Sequence, residues 1–144
     1  MTSSARLTHS APILLVRDIH ATAAYFRDAL GFRLGELYGD PPGFVIAARD
    51  QMHIMLKQAA DPGDVVPMTN RSPGLWDAYF WTDDVDALHR EVTEAGAVID
   101  YGPCDQPYGC REFGVRDPDG HDIGFGQVLR QPPSSEGSSP SGIP

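Results

Sequence analysis

Cysteine is scarce in this chain. Cys104 and Cys110 are the only two, too few for a disulfide framework or for a four-cysteine zinc site. Both fall in one loop, where a disulfide or two free thiols could stand, and without a secretion signal two free thiols are expected. The N-terminal stretch Met1-Thr2-Ser3-Ser4-Ala5-Arg6-Leu7-Thr8-His9 lacks the apolar core of a signal peptide. No apolar run approaches the roughly 20 residues that span a bilayer, so a cytoplasmic protein without membrane contact is expected. Basic residues are also in short supply, with 11 Lys+Arg against 20 Asp+Glu, a formal net charge of −9 and a pI of about 4.7. That balance argues against a nucleic-acid partner, whose phosphates need basic patches to release counterions. It would draw a cationic ligand by long-range attraction, or simply keep the chain soluble.

What is present fits a globular protein. The 144 residues, 41% hydrophobic and 22% charged, suffice for one domain with its own core. Pro12 to Val16 reads as a buried strand. Asp18 can cap a helix over Ile19 to Leu30, where Ala23, Phe26 and Leu30 share a face and Gly31 provides the stop. Phe32 to Tyr38 alternates weakly, Gly39 to Gly43 reads as a turn, and Phe44–Ala48 with His53–Leu56 forms a hairpin across Arg49-Asp50-Gln51. Ala60 to Gly74 is a polar, proline-rich connection. The pattern then repeats, with a strand at Ala78–Trp81 and a helix capped by Asp83 or Asp84 through Val85, Leu88, Val92 and Ala95. Gly96 stops that helix, and a strand begins at Ala97-Val98-Ile99. A shift of 66 residues lays Asp18-Ile19 on Asp84-Val85, the mark of an internal duplication. The chain ends its order in a hairpin, with Phe113 and Val115 alternating before the Asp117-Pro118-Asp119-Gly120 turn and Ile123 and Phe125 after it.

The wording of this hairpin, Arg111-Glu112-Phe113, Asp-Pro-Asp-Gly and Phe125-Gly126-Gln127, resembles bleomycin-resistance-like proteins of the glyoxalase/dioxygenase group, the vicinal oxygen chelate superfamily. Val16-Arg17-Asp18-Ile19 leading into Ala24 to Phe32 resembles the same group. The likeness implies an α+β fold of two βαβββ modules, curved mixed sheets around a cavity with helices outside. It divides the chain into an arm at 1–10, one domain of modules 11–59 and 75–129, and a tail at 130–144 that is expected to be disordered.

Enzymes of the superfamily hold a divalent metal on strand residues. Carried over by motif, those positions are Ala11, Met55, Asp77 and Gly124, and only Asp77 offers a hard donor. No metal and no cofactor are therefore expected. Positions two residues away along the strands bring in His9, His53, Asp77 and Asp122 as a relocated set, whereas His20, His89 and His121 are expected on solvated surfaces. By the same alternation Tyr79 and Trp81 accompany Asp77 on the cavity side, faced by His53 and Met55, with Ala11, Gly124 and Gly126 leaving floor space. Arg111 and Phe113 are expected to point the same way. Tyr108 stands in Gln106-Pro107-Tyr108-Gly109, where relatives commonly carry Gln-Pro-Trp-Gly at the edge of a ligand groove.

The likeness implies a homodimer that sequesters a small aromatic or cationic, antibiotic-type molecule in an interface cleft without chemistry. Tyr79, Trp81 and Tyr108 would stack on it, Phe44, Met55 and Phe113 would form apolar walls, and Asp77 and Glu112 would supply charge, with His53 and Arg111 completing the lining. The competing reading is an enzyme of the same superfamily (a lyase, isomerase or dioxygenase) using the relocated metal set or acid–base groups such as Asp77 and His53.

Overall fold

Ile13-Leu14-Leu15-Val16 forms strand β1 (Ile13–Val16), with Leu14 and Val16 turned into the core. The computed structural model describes residues 3–129, and the tail expected to be disordered lies outside them. Helix α1 (Ile19–Asp28) starts where Asp18 accepts the amides of His20 and Ala21 at 3.1 and 3.2 Å, satisfying donors that the first turn leaves free. Its buried face is Ile19, Thr22, Ala23 and Phe26. Gly31 follows at φ +76°, a left-handed stop that side chains with a Cβ resist. Strand β2 is only Arg33–Leu34, shorter than the Phe32–Tyr38 segment expected. Phe32 is drawn into the core against Phe26, and pairing resumes only at the Tyr38–Phe44 bridge. Strands β3 (Phe44–Arg49) and β4 (Met52–Gln58) form the expected hairpin.

The second half repeats this plan. Strand β5 (Ala78–Trp81) leads to helix α2 (Val85–Glu94), capped by Asp84 on the Ala87 amide at 3.0 Å. Strands β6 (Val98–Asp105), β7 (Cys110–Arg116) and β8 (Asp122–Val128) complete the module. The sheets run β1-β4-β3-β2 and β5-β8-β7-β6, each parallel only where its first strand meets its last. The duplication reaches individual hydrogen bonds. Gln58 on β4 accepts the Ile19 amide at 2.8 Å, and Gln127 on β8 accepts the Val85 amide at 2.9 Å.

One apolar core joins both modules on the helix side of the sheets. Phe26 stacks edge-on against Phe32, Phe32 meets Phe80 at 6.0 Å, and Phe80 continues through Phe125 to Phe113. Polar ties reinforce the junction. Arg49 binds Glu91 through two nitrogens at 2.6 and 3.0 Å, and the Tyr25 hydroxyl accepts the Val98 amide at 3.1 Å. Arg17 reaches Asp119 and the Val65 carbonyl. No helix among the described residues is long and apolar enough to cross a membrane.

Candidate functional site

The face of the second sheet turned away from the core carries the densest polar and aromatic cluster. Strand alternation sends Ala78 and Phe80 into the core, which leaves Tyr79 half-buried and Trp81 46% exposed on the opposite side. Glycines Gly114, Gly124 and Gly126 share that side, and rings lie over them. A Cβ built on Gly114 would sit 2.4 Å from the Tyr101 ring, and one on Gly124 would meet Tyr79 at 2.6 Å and Trp76 at 2.8 Å. The floor expected to be open at Gly124 and Gly126 is thus covered by aromatic rings. Trp76 packs against Tyr79 at 4.7 Å between centroids, and Tyr79 against Trp81 at 4.9 Å.

Glu112, 1% exposed, lies at the centre of this cluster. Its Oε1 accepts the hydroxyls of Tyr79 at 3.0 Å and Tyr108 at 2.5 Å, and its Oε2 accepts Tyr101 at 2.6 Å with a longer contact from Gln106 at 3.5 Å. Trp76 Nε1 donates to the Tyr101 oxygen at 2.8 Å. Burial first, and then the Glu112 carboxylate, hold the phenols of Tyr79, Tyr101 and Tyr108 far above the usual tyrosine range. All three stay protonated as donors. Burial, with Glu112 added, also pushes the Cys110 thiol up, and both Cys104 and Cys110 are free.

A second carboxyl lies on the same face. Asp122 is 1% exposed and its Oδ1 has no hydrogen-bond partner. Burial and the neighbouring Asp100 raise its pKa well above the carboxylate range, against the opposing pull of Arg116. Asp77 stands at the entrance of β5, its oxygens accepting the Met68 and Asp122 amides at 3.0 and 2.9 Å.

Three expectations need correction. Arg111 and Phe113 do not face the cluster. Glu112 pairs with Gly126 and Phe113 with Phe125, so alternation places Phe113 in the core beside Phe125. Arg111, on that same side, holds Asp86 of α2 and Asp105, each at 3.0 Å. His121 is not solvated but 4% exposed, with Nδ1 2.7 Å from Asp117. Burial alone would lower its pKa, but the Asp117 hydrogen bond and charge outweigh this and raise it.

Phe44, His53 and Met55 lie on the outward face of the first sheet. Among the described residues no hydrogen bond or ring contact joins them to Tyr79 or Trp81. Trp76 and Tyr101 were not foreseen. The three glycines on one face were the available signal, since a strand face without Cβ atoms invites rings to lie on it. A cavity of about 210 Å³ opens elsewhere, between α2 and the tip of the β3–β4 hairpin, with Phe32, Phe80 and Phe125 at its base and Trp81 at one end.

The family model of the Glyoxalase/Bleomycin resistance protein/Dioxygenase superfamily matches residues 6–125. The chain belongs to this superfamily. No curated protein matches it in sequence. Among solved structures of the fold, TioX from Micromonospora sp. ML1 is 24% identical, with a TM-score of 0.67 over 85% of this chain and 99% of that one. TnmS3, an antibiotic binding protein from Streptomyces sp. CB03234, is 25% identical with a TM-score of 0.66, covering 88% of this chain and 99% of its own. The bleomycin-binding protein of bleomycin-producing Streptomyces verticillus, solved with copper(II)-bleomycin, is 26% identical with a TM-score of 0.61 over 85% and 97%.

The superfamily's metal does not fit the donors at its usual positions here. Ala11 and Gly124 carry no donor, Met55 offers only a soft thioether, and both oxygens of Asp77 are taken by backbone amides. The relocated set divides in two. His9 stacks on His53 at 4.5 Å, while Asp77 and Asp122 sit together in the second module. Asp117, Asp119 and His121 do bring donor atoms within 4.8 Å of one another. Those atoms already serve the turn itself, with Asp117 holding the Asp119 and His121 amides and Asp119 holding Arg17.

Proposed function

We propose that this chain binds a small, flat aromatic or cationic molecule on the ring-covered face of its second sheet, without metal or chemistry of its own. The observation that carries the reading is the gathering of Trp76, Tyr79, Trp81, Tyr101 and Tyr108 on one glycine-backed face around Glu112. Large rings held rigidly on a sheet offer stacking surface at low entropic cost. Superfamily neighbours that bind an antibiotic or bleomycin support an antibiotic-type ligand. In this reading a second copy closes the cleft over the half-exposed Trp81 in a cytoplasmic homodimer.

The enzyme reading has one observation in its favour, the buried Asp122 carboxyl with its raised pKa and unpartnered oxygen. The carboxyl beside it, Asp100, is already paired with Arg116 at 3.2 Å, and the binding reading therefore stands first.

Titration with planar aromatic and bleomycin-type compounds, followed by tryptophan fluorescence, tests the proposal. Trp81→Ala should weaken binding by about 1–3 kcal/mol. Unchanged affinity in a folded variant would remove Trp81 from the site, and absence of binding by every compound would refute the reading. Sedimentation with and without ligand checks the dimer.

A further inference from the structure

We infer that the ring-covered face selects a planar heteroaromatic cation over a neutral or anionic ligand of the same shape, with Glu112 as the selecting charge. The inference rests on the binding reading above and adds to it a charge requirement and the residue that imposes it.

Glu112 is hydrogen-bonded but not neutralised. Its four contacts come from three phenol hydroxyls and one amide, all uncharged donors. The arginines of its own strand are engaged elsewhere, Arg111 with Asp86 and Asp105, and Arg116 with Asp100. A carboxylate removed from water without a counter-ion carries a desolvation penalty, which an arriving cation relieves through Coulomb attraction in a low-dielectric setting. A second buried carboxyl, Asp122, lies on the same face, but burial and Asp100 favour its neutral form and leave the charge to Glu112. Asp122 is 1% exposed, and its unpartnered Oδ1 lies 2.8 Å from where a Gly114 Cβ would stand, beside the Tyr101 ring edge. Two buried acidic groups thus adjoin the same rings.

The hydrogen bonds also prepare the rings. A phenol that donates to a carboxylate gains electron density, and that strengthens the pull of its π face on a cation. Glu112 draws three hydroxyls toward itself while the rings of Tyr79 and Tyr101 lie over glycine backbone. Both rings are only half-buried, so part of each remains open to a ligand. The Glu112 oxygens lie at the hydroxyl edge of the rings and not on a π face, so the carboxylate attracts a stacked cation without occupying the stacking surface.

The test uses the full chain and three probes of nearly equal shape, N-methylquinolinium, neutral N-methylquinolone and anionic naphthalene-2-sulfonate, with tryptophan quenching as readout. The cation should bind about tenfold more tightly than the quinolone, as a desolvated cation–π contact implies, and the sulfonate should bind most weakly. Glu112→Gln should weaken the cation alone and bring its affinity close to that of the quinolone. A selectivity that survives in folded Glu112→Gln would overturn the role of Glu112, including the case in which Asp50 and Asp83, which line the cavity beside Trp81, hold the cation. Equal binding of all three probes by the wild-type chain would overturn charge selection and leave the aromatic-face reading intact. Quenching by none of them would overturn both. If circular dichroism shows that Glu112→Gln does not fold, the double variant Asp50→Asn with Asp83→Asn takes its place: cation selectivity should survive it, and a loss of selectivity there would overturn the role of Glu112.

Discussion

Tyr101 joins two halves of the ring cluster through a single oxygen, accepting from Trp76 Nε1 and donating to Glu112 Oε2. Tyr101→Phe keeps the ring but leaves both partners short of a bond, one of them a buried charge. It should lower stability by about 1.5–3 kcal/mol in urea denaturation, and a loss under half of that range would mean water replaces the hydroxyl. Asp122 sets a pH dependence of opposite character. Its folded pKa lies above the unfolded value because burial and Asp100 disfavour the anion. Its contribution is therefore fully present below the unfolded pKa of about 4 and is lost as pH rises through the raised folded value toward neutrality. Asp122→Asn should consequently stabilise the protein at pH 8 by about 1 kcal/mol and change little at pH 4. Melting curves at the two pH values check this, and equal shifts at both would contradict it. Single residues were legible in sequence where strand parity was clean, as at Tyr79 and Trp81. Phe113 and Arg111 differ from the expectation because a strand that turns Glu112 to the ring face must turn both its neighbours to the core side.

The helix starts show what a whole element can reveal before it folds. Asp18 and Asp84 announce caps because a short acidic side chain before an apolar-periodic run has one evident use, and both perform it. The second half of each cap was hidden in sequence. Gln58 and Gln127 reach back from the last strand of their modules, 39 and 42 residues away, to the first amide of the helix. In α2 the two devices act on different amides, Asp84 on Ala87 and Gln127 on Val85. Asp84→Ala and Gln127→Ala should thus cost about 1 kcal/mol each and nearly add in the double variant. Denaturant midpoints of the three variants test this, and a neutral Gln127→Ala would show the cap to be solvent-replaceable. Strand β6 was the least legible element. Its register shifts between Ile99 and Tyr101 and again between Tyr101 and Cys104, so no period-two pattern could place Tyr101 on the ring face.

The duplication at 66 residues predicted two like modules but not how they meet, since a periodic apolar face shows that a surface is buried without showing against what. The answer is a shared core. Phe32 of the first module packs on Phe80 of the second, and Arg49 clamps Glu91 across the same junction. Neither module buries its helix face alone, so the two should unfold together. Both tryptophans, Trp76 and Trp81, belong to the second module, whereas far-UV circular dichroism reports on both. The two signals should therefore trace one coincident urea transition. Phe32→Ala, a change in the first module only, should move the fluorescence and dichroism midpoints together by removing about 3–5 kcal/mol. A fluorescence transition left in place while the dichroism midpoint falls would show the modules to be independent. The ring-covered face would then be held by the second module alone, and the Phe32–Phe80 contact would play no part in keeping Glu112 buried among its tyrosines.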